Sequence, residues 1–153
     1  AIFLILIAVA LAVGVLLDRT PMGYRIRYQG ANAEASRFSG ISPTRTLMAT
    51  YTIVGLLGGI AGVVFLSRNP SASADYGASY TLLVIVIAVL GGTNPYGGRA
   101  TVLGVVLATL CLQVVASGFT AMRLSSQQYA MAQGVILIGA MVLDYLRRRG
   151  SSR

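Results

Sequence analysis

The residues in this chain with the side chains for chemistry are few, and they do not form a reactive set. Its four acids, Asp18, Glu34, Asp75 and Asp144, are scattered along the length, and histidine is absent. Neither a metal cage nor a general acid and base pair can be assembled from neighbouring positions. Cys111 stands alone within an apolar run, which excludes an intramolecular disulfide and reads as packing. No catalysis, metal or cofactor is expected of the chain itself. What the sequence offers instead is recognition, concentrated in residues 28–41, a polar island between two segments apolar enough to live in lipid.

The island reads as a brief helix. Asn32 can cap its first turn, Glu34 sits where the positive end of the helix dipole favours an acid, and Gly40 can adopt the left-handed stop. Isolated helices below about 12 residues are marginal in water, so this one needs a surface to lie on. Two surfaces are open to it. One is the membrane domain of its own chain, and the other, favoured by the flanks, is a separate cytoplasmic protein.

The flanks belong to the bilayer. Of 153 residues 56% are hydrophobic and 10% charged, and the mean hydropathy of +0.75 marks an integral membrane protein. The net charge of +8 is not gathered on one face or interleaved with stacking aromatics, so a nucleic-acid partner is excluded. Its arginines fall at the ends of apolar segments, the positive-inside pattern.

Five crossings are expected: residues 1–17, 47–66, 76–92, 101–120 and 129–146. The first lacks a basic leader and a cleavage site, so it reads as the tail of a crossing in a longer chain rather than a signal peptide. Residues 18–45 carry five arginines against two acids and are assigned to the cytoplasm. The segment before the double glycine at 91 and 92 is short enough to re-enter instead of crossing. Charge decides for a crossing, because only then does the basic run Arg147, Arg148 and Arg149 fall on the same side as the island.

Gly55, Gly58, Gly59 and Gly62 form two overlapping G-x-x-x-G pairs in the second crossing, a helix-packing face. Gly91, Gly92, Thr93, Asn94, Pro95, Tyr96, Gly97 and Gly98 lack the ending of a phosphate-binding loop. They read either as a tight structural turn or as the mouth of a translocation path. Gln113 near mid-membrane is the further path candidate, with a hydrogen bond to a neighbouring helix as its plainer reading.

The pattern Gly30-x-Asn32-x-Glu34-Ala35-x-Arg37-x-x-Gly40-Ile41, followed by the glycine-rich crossing and the paired double glycines, resembles the permease subunits of bacterial ABC importers for ribose and other monosaccharides. The likeness runs over nearly the whole sequence and corresponds to the last five of about ten crossings. It implies an all-α, polytopic transmembrane helical bundle, with residues 1–153 the C-terminal part of a permease domain and 28–41 a cytoplasmic coupling element. By the same resemblance Gly30, Asn32, Glu34, Ala35, Arg37, Gly40 and Ile41 contact a cytoplasmic ATP-binding subunit. A second permease copy or homologue and a periplasmic or extracellular solute-binding protein complete the implied assembly. Membrane lipid covers the rest, in the bacterial inner membrane, with the C-terminus cytoplasmic.

Relatives commonly carry a Glu-Leu pair ahead of the double-glycine loop, whereas residues 80–88 contain no acid here. Branched-chain amino acids and nucleosides are the alternative solutes within the superfamily. An ion-coupled secondary transporter is the alternative outside it, disfavoured because the crossings carry no ionisable side chain between their ends.

Overall fold

A computed structural model describes residues 2–94 and 96–150, without the side chains of Ser79 and Arg148. Pro95 of the loop motif and the extremities of the expected 1–153 domain, Ala1 and residues 151–153, lie outside the described residues. The described residues form helices and connections with no strand: α1 (Ile2–Arg19), α2 (Pro21–Ala31), α3 (Ala33–Phe38), α4 (Pro43–Arg68), α5 (Tyr76–Leu90), α6 (Val102–Ala121) and α7 (Ser126–Gly150).

Helices are dictated by the solvent, since each backbone amide in a bilayer must find its partner within its own segment. Hydroxyls in the apolar runs follow the same rule. Thr52 donates to the Met48 carbonyl at 2.8 Å, Thr109 to Val105 at 2.8 Å and Thr120 to Ala116 at 2.9 Å. Each is satisfied within its own helix, and the apolar faces stay free for lipid. Ile2–Arg19, Pro43–Arg68, Val102–Ala121 and Ser126–Arg147 are long and apolar enough to cross a membrane. The chain is thus an all-α, polytopic transmembrane protein.

Two bodies make up the chain. The first comprises α1 to α4 and, from much later in sequence, Tyr96–Ala100; the second comprises α5 to α7. In the first, Thr20 breaks the chain into extended geometry (φ −110°, ψ 150°) after α1 and caps α2, its Oγ1 accepting from the Gly23 amide at 3.3 Å. That hydroxyl also donates back to the Leu16 carbonyl, and Pro21 takes the first helical turn, where its missing N–H costs nothing. A Cβ at Gly23 would overlap the backbone of Leu16 and Leu17, so glycine allows α2 to fold directly across the end of α1. In the second body lie the buried apolar residues Val86, Ala108 and Leu112.

The third expected crossing, α5, has 15 residues, about 22 Å of helix against a hydrocarbon core of about 30 Å. Two contacts within the first body flank it. The ring of Tyr76, the first residue of α5, lies 5.5 Å from that of Phe65 on α4. After α5, Gly97 and Gly98 sit against Gly30, beside Gln29, whose Nε2 donates to the carbonyl of Pro43 at the start of α4. Length alone does not place α5 among the helices that can cross.

Candidate functional site

The polar island forms a helix that is shorter than its sequence suggests and fully capped. Asn32 is extended (φ −157°, ψ 107°), and its Oδ1 accepts from the amides of Glu34 at 3.0 Å and Ala35 at 3.1 Å. At the other end the Ile41 amide reaches the Ser36 carbonyl and the Gly40 amide that of Arg37, both at 3.2 Å. With Gly40 at φ +78° this is a Schellman stop, whose geometry disfavours a side chain carrying Cβ. Glu34 in the first turn and Arg37 in the last complement the helix dipole.

Six residues cannot hold this helix alone, and α3 rests on α2 and α4. Ser36 is its buried side chain, 1% exposed. Ala33, Glu34, Ala35, Arg37 and Phe38 face outward, as do Gly30, Asn32 and Gly40, while Ile41 is half-buried. The element thus lies on its own subunit by one face and offers the other. Phe38, absent from the expected contact residues, is 91% exposed. Its signal was legible as an aromatic within an otherwise small and polar run, the residue type that anchors interfaces. On α2, Tyr24 and Tyr28 have ring centroids 4.3 Å apart, and the hydrogen bond with Tyr28 pushes the Tyr24 phenol up from its ordinary value.

The path candidates divide between the bodies. Gly91, Gly92, Thr93 and Asn94 close α5 in the second, where the Thr93 amide bonds the Ala88 carbonyl at 3.0 Å and Gly92 takes φ +83°. Gly91 is buried, and its Cα leaves room for Val105 and Gly104 of α6 only because it lacks a Cβ. Thr101 Oγ1 donates to the Gly91 carbonyl at 2.7 Å, tying the end of α5 to the start of α6. Gln113 on α6 is exposed, whereas Gln133 on α7, for which no role was expected, is 5% exposed.

Gly97 and Gly98 belong with the island. A Cβ on Gly97 would strike the Gly30 carbonyl, and one on Gly98 would come within 3.0 Å of the Ala31 Cβ. Arg27 adds a fork, its Nη2 donating to Asp18 at 2.6 Å and to the Ala100 carbonyl at 3.2 Å. The remaining set, Gly55, Gly58, Gly59 and Gly62, lies exposed on α4, with open space where each Cβ would stand.

Comparison with known proteins finds a family for this polytopic scaffold. Residues 1–143 match the family described as branched-chain amino acid transport system, permease component. The chain belongs to this family. It is 36% identical over 130 residues to the ribose import permease protein RbsC of Bacillus subtilis, covering 85% of this chain and 40% of that one. Against RbsC of Escherichia coli K12 the identity is 32% over 136 residues, 89% of this chain and 42% of the relative. The autoinducer 2 import system permease protein LsrD of Photorhabdus luminescens is 34% identical over 126 residues, 82% of this chain and 38% of that protein. The permease chain described here thus spans about two fifths of the length of these relatives. No solved structure matches it significantly. Members of the family are transport components, and this one is a multi-pass membrane protein.

Proposed function

We propose that the chain is part of the permease subunit of an ABC importer that carries a small sugar across the bacterial inner membrane into the cytoplasm. The energy comes from a separate ATP-hydrolysing subunit docked on residues 30–41. The observation that carries this reading is α3 itself: a six-residue helix capped at both ends, seated by Ser36 and presenting Glu34, Arg37 and Phe38 outward. A connecting loop has no need of two caps and an exposed aromatic. The resemblance to ribose import permeases supports the solute class.

The island faces the cytoplasm in this reading, as does the C-terminal run of Arg147, Arg148 and Arg149, because the arginine-rich ends of crossings stay inside. A second permease copy or homologue and a solute-binding protein on the outer face complete the assembly. Gly91, Gly92, Thr93, Asn94 and Gln113 remain candidates for the solute path, and the glycine face of α4 for helix packing.

Arg37→Glu tests the reading. The variant is expected to reach the membrane in normal amount while solute uptake is uncoupled from ATP hydrolysis; unchanged uptake would overturn the assignment. The family description favours branched-chain amino acids as a second solute class. Competition among labelled pentoses, hexoses and leucine for uptake separates the two.

A further inference from the structure

Tyr96–Ala100 is an anomaly of chain path. These five residues belong to the body that carries the recognition helix, while the chain on either side of them belongs to the other body. Three contacts hold them there. The Gly98 backbone amide lies 3.1 Å from where a Gly30 Cβ would stand, and Gly97 packs on the Gly30 carbonyl. The Ala100 carbonyl receives the Arg27 guanidinium, which Asp18 orients from the end of α1. Gly97 (φ +95°) and Gly98 (φ +86°) let the segment lie against the end of α2.

On the far side of the Ala100–Thr101 junction the chain is equally constrained. Thr101, bonded to Ala100, begins α6 and donates to the Gly91 carbonyl; Gly91 and Gly104 meet backbone to backbone. The ends of α5 and α6 are therefore one joint, and a displacement of Ala100 is delivered to both.

We infer that Tyr96–Ala100 is the strap through which movement of the docking element is passed to the α5–α6 joint, and that Arg27 is the positioning residue that fastens it. The inference rests on the proposed docking of an ATPase at residues 30–41, and deepens it by naming the linkage. Contact through packed backbone suits this task, because close-packed groups transmit displacement with little slack.

The test uses the full-length permease with its ATPase in lipid nanodiscs, with hydrogen exchange followed by mass spectrometry with and without ATP and magnesium. In the wild type, ATP is expected to change exchange both at residues 33–41 and at 91–94. Arg27→Met removes both bonds of the fork. It should keep the response at 33–41 and ATP hydrolysis within about twofold, while shrinking the response at 91–94 by about fivefold, the low end of a typical coupling factor. Arg27→Lys, which has no planar fork, should fall between. A full response at 91–94 in Arg27→Met overturns the strap. Should Arg27→Met not accumulate, the same comparison is made with Gly98→Ala, where an undiminished response at 91–94 has the same force. No ATP response at 33–41 in the wild type would instead overturn the docking on which the strap depends.

Discussion

Glycine serves two opposed purposes in two sets of positions in this molecule. Along α4, Gly55, Gly58, Gly59 and Gly62 meet nothing within 4 Å of an added Cβ, and Gly55 and Gly59 border an open groove of about 690 Å³ lined also by Ile5, Leu56 and Val63. At Gly23, Gly91, Gly97 and Gly104 the same residue is pressed against other backbone. The first set looks like a packing motif in sequence and meets no packing partner among the described residues. The second set has no helix-pairing signature and does the packing. Lipid explains the difference: with no hydrophobic drive between helices, close backbone approach is the available way to hold them, and it is used where the chain turns back on itself.

The largest effect that would break this contrast is expected at Gly104. A Cβ there overlaps the Gly91 carbonyl and comes within 3.0 Å of Thr101 Oγ1, so Gly104→Ala opens the α5–α6 joint and the hydrogen bond that ties it. The loss should be about 3 kcal/mol, the upper range for overpacking a dense site. Membrane yield and thermal unfolding of the purified protein measure it, and wild-type stability would mean the joint is looser than its contacts imply.

Gly98→Ala combines two smaller penalties. Its φ of +86° is disfavoured for any residue with a Cβ, and the new methyl would sit 3.0 Å from the Ala31 Cβ, a contact a small shift relieves. About 1 to 2 kcal/mol is expected, chiefly from the backbone. The same unfolding measurement applies, with Gly98→Asn as the control that tolerates left-handed geometry better.

How far the sequence exposes these features depends on their range. The cap at Asn32 and the stop at Gly40 are local signals, and the structure has both. α2 was equally local, announced by Thr20 at the cap and Pro21 in the first turn, yet its arginines and the glycines near its two ends disguise it as a linker. The strap is different in kind. Arg27 and Ala100 are 73 residues apart, and no periodicity or composition connects them. The path motif likewise reads as one unit from 91 to 98, but its second glycine pair is held by the island and its first by α6. In the bilayer, hydrophobic patterning gives each helix its length and leaves its partner unspecified.

Gly40 isolates one of the two penalties. Its φ is +78°, but nothing lies within 4 Å of an added Cβ. Gly40→Ala should therefore cost about 1 kcal/mol from backbone strain alone. The loss is confined to a six-residue helix, so it appears locally, as exchange about fivefold faster at the Gly40 and Ile41 amides that close the stop. Equal exchange in the variant would show that α2 and α4 hold α3 irrespective of its terminus.

Gly59→Ala removes both penalties and is the smallest effect. Within a helix, alanine is better than glycine by about 1 kcal/mol, and open space around Gly59 means no overlap subtracts from that gain. The same methyl that collapses the α5–α6 joint at Gly104 is thus expected to raise thermal stability slightly on α4. A small gain also fits a helix of the assembled transporter lying in the groove, because alanine still permits close approach in small-x-x-x-small pairs. A fall comparable to that of Gly104→Ala would mean that another helix fills the groove at backbone contact, and that glycine serves one purpose in this protein after all.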